Sequence, residues 1–271
     1  MSARVAIVQF PGVNCETETG RALTRVGLTP EVFAWTRDPE ELRDYQAYVI
    51  PGGFSYQDRV RAGALAAKDP LMEVIAAEAA RGKPVLGICN GAQVLVEAGL
   101  VPGRGHVDLA LGRNRMPGRS GYYARWVQLR VEPSPCVFTR LLTPGDLLPM
   151  PVAHGEGRFV TRPRSRLTAL AESGCAPLRY AGPDGRPAEE FPANPNGSPL
   201  GIAAVCNARG NVMALMPHPE RAQDLGALKR GLGGPWEERW RQWASAAARD
   251  PDAPGPGLTL FAGLARHLED A

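Results

Sequence analysis

The 271-residue sequence is poor in lysine and histidine. Almost all of its 31 basic residues are arginine, and the formal net charge is only +3. Because the arginines are spread along the chain, they do not predict the basic groove that binds nucleic acid. The exception is a small group of arginines that could form a basic patch, a weaker alternative: Arg113, Arg115 and Arg119.

The cysteines have neither the number nor the spacing of a disulfide framework or a zinc site. There are five, with no Cys-x-x-Cys: Cys15, Cys89, Cys136, Cys175 and Cys206. No apolar run approaches the ~18 residues of a membrane span. The first residues lead directly into a short apolar segment at 4–9, which lacks the apolar core of a signal peptide. We therefore expect a cytoplasmic protein without a metal site or membrane partner.

The first hundred residues alternate between strand-like and helix-like segments. Short apolar runs are followed by amphipathic stretches whose ends carry capping residues, as at Asp38-Pro39 and Asp69-Pro70. Alternating strands and helices predict a parallel sheet with right-handed crossovers. The predicted strands are residues 4–9, 31–35, 46–50 and the run that leads into Cys89.

The pattern changes after residue 99. Residues 122–131 alternate between apolar and polar side chains, which predicts a half-exposed strand. Residues 200–206 and 211–217 predict two more strands around a turn. Together with the first part of the chain, this predicts an α/β protein with additional short antiparallel strands.

The last fifty residues predict two helices. Residues 224–256 have the features of a helical insertion, with three tryptophans on one helix face, which favours packing against the domain over a partner surface. Residues 257–269 predict a terminal amphipathic helix. We expect residues 1–271 to form one domain that includes both segments.

One stretch carries most of the chemistry: a short apolar run ends at Gly87-Ile88-Cys89-Asn90-Gly91. This spacing is the cysteine form of the Gly-x-Ser-x-Gly elbow, in which the nucleophile lies on a tight strand-to-helix turn. Flanking glycines let the strand and helix pack closely at such a strained turn. The N-terminus of the following helix favours a thiolate. The alternative is a buried cysteine in an ordinary βα turn.

A nucleophilic cysteine needs a base with an orienting partner. Two segments place His and Glu two residues apart, Ala153-His154-Gly155-Glu156 and Pro217-His218-Pro219-Glu220. On an extended segment this spacing directs both side chains to the same side. Pro219 favours extended geometry at the preceding histidine. The residues therefore favour His218 over His154 but leave both open.

Attack on an amide also needs donors for the oxyanion. The backbone N–H of Asn90, directly after the cysteine, could supply one. Gly52-Gly53 could supply the second, as a flexible pair whose peptide can point either way. The polar loop that follows, residues 54–61, is not expected to hold that peptide rigidly. Gln93, one turn into the helix, could bind a polar group of a substrate.

These motifs together resemble the class I (triad) glutamine amidotransferases. More narrowly, the chain resembles the glutaminase subunits of phosphoribosylformylglycinamidine synthase, an enzyme of purine biosynthesis. The matching motifs run in order from residue 4 to about residue 222: Pro51-Gly-Gly-Phe-Ser-Tyr56 with Asp58, Gly87-Ile-Cys-Asn-Gly91 with Gln93, Ala153-His-Gly-Glu-Gly-Arg158, Asn194-Pro-Asn-Gly-Ser198 and Met216-Pro-His-Pro-Glu-Arg-Ala222.

The resemblance implies a flavodoxin-like open, mostly parallel sheet with helices on both faces. It implies that Cys89 is the nucleophile, His218 the base and Glu220 its orienting partner. It further implies that His154 belongs to a loop near the site or the partner. The other implied roles are oxyanion donors at Gly53 and Asn90 and a contact of Gln93 with glutamine.

The implied reaction is hydrolysis of L-glutamine to glutamate and ammonia through a thioester. In the family, ammonia passes to a separate synthetase subunit, often with a small bridging subunit, which converts formylglycinamide ribonucleotide to the amidine. ATP and Mg²⁺ are expected on that partner, because this chain shows no phosphate-binding glycine loop. No cofactor is expected in the chain itself.

The chain departs from the family at Gln57, where the family usually has glycine, and in the long segment 224–256. Three other readings stay open: a glutaminase subunit that serves a different synthetase, a stand-alone cysteine hydrolase of the same fold, and a non-catalytic interaction domain. Many of the stand-alone hydrolases place His directly after the cysteine, where this chain has Asn90.

Overall fold

A six-stranded sheet forms the centre of the computed structural model, which describes residues 2–118, 120–229 and 231–271. Arg119 of the candidate basic patch lies outside these residues. The strands of the sheet are β1 (Arg4–Gln9), β2 (Thr29–Ala34), β3 (Ala47–Ile50), β4 (Val85–Ile88), β10 (Ala204–Cys206) and β11 (Val212–Leu215). They have the spatial order β10-β11-β4-β3-β1-β2, and the paired strands are parallel except β10 and β11.

Six α-helices accompany the described strands: α1 (Glu16–Arg25), α2 (Pro70–Arg81), α3 (Asn90–Glu97), α4 (Ser165–Glu172), α5 (Gly234–Ser245) and α6 (Leu258–Glu269). Helix α1 contacts α6, whereas α2 and α3 both contact the short 3₁₀ turn Ala66–Lys68. This is the flavodoxin-like doubly wound arrangement that the resemblance implies.

Of the two helix starts predicted from capping residues, Asp69 begins an α-helix and Asp38 begins a 3₁₀ helix. Asp69 accepts a hydrogen bond from the backbone N–H of Leu71 (3.0 Å) and begins α2, which ends at Gly82 with φ 110°. Asp38 caps its segment in the same way, but the six residues that follow, Pro39–Asp44, form a 3₁₀ helix. Strand β3 begins three residues after this segment ends.

The middle of the chain adds antiparallel strands, as expected. Strands β6 (Tyr123–Val131), β7 (Leu147–His154) and β9 (Leu178–Ala181) form a three-stranded sheet in the order β7-β6-β9. Strands β5 (Ala110–Gly112) and β8 (Arg158–Val160) form a two-stranded one. The backbone N–H of His218 donates to the carbonyl of Pro151 (2.8 Å), so β7 lies against the segment that follows β11.

The tryptophan-bearing segment forms α5, in which no residue is fully buried. Trp236 packs partly against the hydrophobic core, and the Trp243 ring lies close to Gly226. The single-domain division with an insertion at 224–256 stays a prediction. None of the helices within the described ranges has the length and apolar character that crossing a membrane requires.

Candidate active site

Cys89 occupies the turn between β4 and α3 in a strained backbone conformation, with φ 51° and ψ −101°. Its N–H donates to the carbonyl of Leu215 at 2.7 Å, which fixes the turn against β11. A Cβ at Gly91 would lie 1.9 Å from the carbonyl oxygen of Ile50, and one at Gly87 would lie 2.5 Å from that of Gly91. Both flanking glycines are therefore required for the close strand-to-helix packing.

His218 and Glu220 form a buried pair after β11. The His218 Nδ1 lies 2.6 Å from the Glu220 Oε1, and the two residues are only 2% and 1% exposed. Burial disfavours the imidazolium, but the Glu220 carboxylate and the neighbouring Cys89 and Cys15 sulfurs outweigh it and raise the pKa of His218 well above its usual value. The His-Glu pair forms as the spacing predicts, but Glu220 lies in a short 3₁₀ helix, Pro219–Arg221, and not on the extended segment that the spacing argument assumed.

The structure brings Cys89 and His218 to one cavity of about 420 Å³ at the carboxyl edge of the sheet. The end of β7 forms another wall, where the Cys89 thiol donates to the carbonyl of Ala153 (3.6 Å). Further residues that line this cavity include Gly53, Asp58, Gln93, His154, Glu156 and Arg221. Ligands of open α/β sheets bind at this edge.

The resemblance implied that His154 belongs to a loop, but the structure does not place it in one. It is the last residue of β7 and is 3% exposed. Burial, together with the positive charge of His218, lowers the pKa of His154 to about 3. The backbone of Gly157 packs directly on the imidazole. His154 is therefore a neutral group inside the site.

The Gly52-Gly53 peptide is more constrained than the sequence suggests. The Gly52 carbonyl accepts from the Asn14 N–H (3.2 Å), and the Phe54 N–H donates to the carbonyl of Gly12 (2.9 Å). A Cβ at Gly53, whose φ is 153°, would lie 2.5 Å from the Val13 Cα. The peptide is thus held in one orientation, and the expectation of a freely rotating pair is wrong for this state.

The Asn90 and Gln93 side chains connect three segments of the site. Asn90 accepts from the Ser55 N–H (2.9 Å) and donates to Gln93 (2.9 Å) and Asp58 (3.1 Å). Gln93 in turn donates to the carbonyl of Glu156 (2.8 Å). Burial and the Glu156 carboxylate raise the pKa of Asp58, although its bond to Asn90 opposes the shift. The Gln93 amide lines the cavity while it is bonded within the protein.

Gln57, the departure from the family pattern, adopts φ 59° and ψ 27°, which is a left-handed conformation. Its neighbours Tyr56 and Asp58 also have positive φ values, of 53° and 52°. The loop therefore makes the turn that glycine would favour at position 57, at a steric cost for three non-glycine residues.

Sequence reasoning missed Cys15 and Arg221. Arg221 donates a hydrogen bond to the Cys15 sulfur (3.1 Å). This sulfur, one ring nitrogen of His218 and one carboxylate oxygen of Glu220 all lie within 4.8 Å of one another. Metal ligands of these three types suit zinc. However, His218 and Glu220 bind each other at 2.6 Å, and the Arg221 guanidinium already donates to the Cys15 sulfur. The arrangement therefore favours the His218–Glu220 ion pair over a bound metal ion. The sequence signals were the position of Cys15 directly before α1 and the place of Arg221 in the Met216–Ala222 motif.

The comparison with family models identifies this arrangement. Residues 2–247 match the CobB/CobQ-like glutamine amidotransferase domain. The chain belongs to this family. Its membership agrees with the cysteine elbow, the buried His-Glu pair and the doubly wound sheet, and the chain is therefore an enzyme of the glutamine amidotransferase class.

Individual relatives give a narrower placement within the amidotransferases. The chain is 42% identical to phosphoribosylformylglycinamidine synthase subunit PurQ of Methanothrix thermoacetophila, over 98% of both chains. It is 47% identical to the PurQ subunit of Thermomicrobium roseum, over 82% of this chain and 88% of the relative. The structure of PurLQS from Thermotoga maritima matches with a TM-score of 0.72 and 32% identity, over 99% of this chain and 100% of that one.

Proposed function

We propose that the chain hydrolyses L-glutamine to glutamate and ammonia with Cys89 as nucleophile, His218 as acid-base group and Glu220 as its orienting partner. The observation that supports this assignment is the 2.6 Å contact between the His218 Nδ1 and Glu220. It directs the other ring nitrogen away from the carboxylate, and both His218 and Cys89 line one cavity.

In the proposed reaction, the Cys89 sulfur attacks the side-chain carboxamide carbon of glutamine. The proton of the Cys89 thiol passes to His218, which gives it to the nitrogen as the C–N bond breaks, so that ammonia leaves a glutamyl thioester on the enzyme. Water then attacks the thioester and gives a proton to His218, which returns it to the Cys89 sulfur as glutamate is released. Glu220 stabilises the imidazolium in both steps.

The oxyanion donors in this proposal are the N–H groups of Gly53 and Asn90. Asn90 begins α3, so its N–H is one of the first-turn donors without an intrahelical acceptor. Gln93 holds the loop at Glu156 in place and borders the cavity in which glutamine binds.

The names of the relatives extend the proposal to a pathway. We infer that the ammonia passes to an ATP-dependent synthetase subunit that converts formylglycinamide ribonucleotide to formylglycinamidine ribonucleotide. A small bridging subunit completes the complex, and ATP and Mg²⁺ bind to the synthetase. All five cysteines are free, which supports a reducing, cytoplasmic location.

The test is Cys89→Ala, assayed in the complex with the synthetase. We expect glutamine-dependent synthesis to be lost while synthesis from added ammonia is retained, because Cys89 releases ammonia but does not use it. A glutamine-like electrophile should label Cys89 alone. The matched control is Cys136→Ala, which removes a buried thiol that does not line the cavity. Retained glutaminase activity in Cys89→Ala, or labelling at Cys15, would contradict the assignment.

A further inference from the structure

Asn90 has a buried side chain at the point where the nucleophile turn enters α3. Its side-chain oxygen accepts a hydrogen bond from the Ser55 N–H (2.9 Å), and its side-chain nitrogen donates to Asp58 (3.1 Å) and Gln93 (2.9 Å). The residue is only 1% exposed. The proposed reaction uses only the backbone N–H of Asn90, so its side chain has no role there.

The three hydrogen bonds determine the orientation of the Asn90 amide. Because a backbone N–H can only donate, the atom that faces Ser55 must be the amide oxygen. The amide nitrogen has two hydrogens, and the side-chain oxygens of Asp58 and Gln93 accept one each. A neutral imidazole has one donor and one acceptor, so a histidine at this position could not make the same three contacts. Asparagine therefore suits the position that directly follows Cys89.

The partners of Asn90 belong to different parts of the cavity wall. Ser55 and Asp58 lie in the loop that follows β3, whereas Gln93 lies in α3. Gln93 extends the connection, because it donates to the carbonyl of Glu156, which lies between β7 and β8. One side chain thus links the loop after β3 to the start of α3 and, through Gln93, to the loop after β7.

The bond to Ser55 joins the two segments that supply the proposed oxyanion donors. Gly53 lies two residues before Ser55 and lines the cavity. Asn90 is the first residue of α3. The backbone N–H groups of Phe54 and Tyr56 donate to the carbonyls of residues 12 and 11, so they hold the loop to a different segment. The Ser55–Asn90 bond therefore restrains the distance between the Gly53 segment and α3.

We propose that Asn90 is a positioning residue, whose side chain holds the Gly53 segment at the separation from α3 that the two oxyanion donors require. This inference rests on the proposed glutaminase function. The side chain acts through the backbone N–H groups of Gly53 and Asn90 and not by contact with glutamine. Oxyanion donors stabilise a transition state only when they are preorganised around the developing charge, so a restraint on their separation governs the rate.

The deciding experiment compares two reactions of Cys89 in the Asn90→Leu variant, in the complex with the synthetase. Leucine keeps the backbone N–H and the branching of the side chain but has no polar group. Hydrolysis of glutamine passes through an oxyanion, whereas alkylation by iodoacetamide displaces iodide from a methylene carbon and forms none. We expect kcat for glutamine to fall about 10²-fold, the effect of a misplaced group, with a smaller change in KM. Alkylation of Cys89 should stay close to the wild-type rate.

A paired substitution tests the hydrogen bonds themselves. Asn90→Asp keeps an oxygen acceptor for the Ser55 N–H but places a second carboxylate beside Asp58, so kcat should fall through repulsion. Addition of Asp58→Asn restores the donor–acceptor pair with the two roles exchanged. The double variant should therefore recover part of the kcat that Asn90→Asp alone loses. The recovery is partial because the donor to Gln93 is still missing.

Asn207→Leu is the matched control. Asn207 also accepts from a backbone N–H, that of Val212 (3.2 Å), and donates to a side chain, that of Asn211 (3.0 Å). It does not line the cavity. This variant should leave the ratio of glutamine hydrolysis to Cys89 alkylation unchanged.

The outcomes separate positioning from a structural role. Equal losses of hydrolysis and alkylation in Asn90→Leu would overturn the proposal and indicate a general disturbance of the nucleophile turn. An unchanged kcat would also overturn it, even with a raised KM, which would indicate a role in glutamine binding. If Asn90→Leu does not fold, absence of recovery in the double variant would overturn it. Failure of the wild-type complex to hydrolyse glutamine would instead refute the proposed function.

Discussion

The backbone of Cys89 lies in a region of φ/ψ space that non-glycine residues avoid, at a cost of about 1–3 kcal/mol. Its N–H bond to Leu215 and the glycine contacts around it over-determine the turn. The strain is thus maintained by packing against two neighbouring strands. It presents the sulfur at the helix N-terminus, beside His218.

The charge on His218 depends mainly on one carboxylate, which gives a prediction for Glu220→Gln. Removal of the Glu220 charge leaves burial, which disfavours the imidazolium, so the pKa of His218 should fall below its wild-type value. The measurement is a pH titration of the histidine ring resonances by NMR. His267, remote in sequence and in the terminal helix, provides an internal reference whose titration should not change. An unchanged His218 titration would contradict the electrostatic role of Glu220.

At the residue scale, some members of the candidate site can be identified from the sequence and others cannot. Cys89 and His218 could be proposed because spacing alone links them to a turn and to an extended strand end. His154 was misplaced because the resemblance assigned it to a loop, whereas its position at the end of β7 and its burial depend on pairing with β6 and on contacts with Asn114. Asn114 itself gives no local signal, since its role arises only when residues 40 positions apart come together.

At the level of elements, the elbow depends on a single missing methyl group at Gly91. In Gly91→Ala, the new Cβ would meet the Ile50 carbonyl at 1.9 Å, and strand β3 would have to shift. We expect a loss of unfolding free energy at or above the ~1–3 kcal/mol typical of overpacking. The measurement is urea-induced unfolding.

The matched control is Gly20→Ala in α1. Its Cβ would meet only the Ile7 side chain, at an ordinary 3.5 Å. Glycine within a helix costs about 0.5–1 kcal/mol relative to alanine, so this substitution should stabilise the protein. If both variants lost stability equally, the elbow clash would not be the cause.

The order of elements follows from the sequence more readily than their details. The alternation of apolar runs and amphipathic stretches predicts the parallel sheet, because this pattern is local. The conformation of the loop at residues 54–61 is harder to predict, because its residues with positive φ are not glycines. Backbone hydrogen bonds also link the start of the loop to residues 11 and 12. Such contacts depend on tertiary structure.

For the whole molecule, His154 couples stability to pH. Its pKa is about 3 when folded, against a usual value of 6.5, so between these values only the unfolded chain takes up the proton. Stability therefore falls as the pH drops below about 6.5. Between pH 7 and pH 5, this group alone should lower the unfolding free energy of the wild type by about 2 kcal/mol, a loss that His154→Phe should not show.

The measurement is the unfolding free energy of both proteins at the two pH values. Carboxylates contribute equally to both and cancel in the difference. His218, whose pKa is raised in the folded state, stabilises the protein fully below its unfolded value, and this effect is lost as the pH rises. Its change between pH 7 and pH 5 occurs in both proteins and therefore cancels as well. An identical pH dependence in the two proteins would show that His154 is accessible to protons in the folded state.

The last prediction concerns the isolated chain, which we expect to hydrolyse glutamine slowly. The mouth of the cavity exposes apolar side chains, with Phe54 47% and Val60 84% exposed. Val60 also has a φ of 71°, which is costly for a β-branched residue. Phe54 directly follows Gly53, whose N–H is a proposed oxyanion donor, and Val60 belongs to the same loop. A partner that covers the Phe54 and Val60 side chains would change the conformation of the loop. Through the loop it would change the orientation of the Gly52-Gly53 peptide, whose carbonyl now accepts from Asn14.

An oxyanion donor contributes ~10²–10³ in rate, so its placement alone can govern activity without any movement of Cys89. We therefore expect the synthetase to raise kcat for glutamine more than it lowers KM, measured by steady-state kinetics with and without the partner. Val60→Ser should weaken this stimulation, whereas Val107→Ser, at a half-exposed valine outside the cavity, should not. Full activity in the isolated chain would argue against gating and favour a stand-alone hydrolase, because the donor would then already be in place.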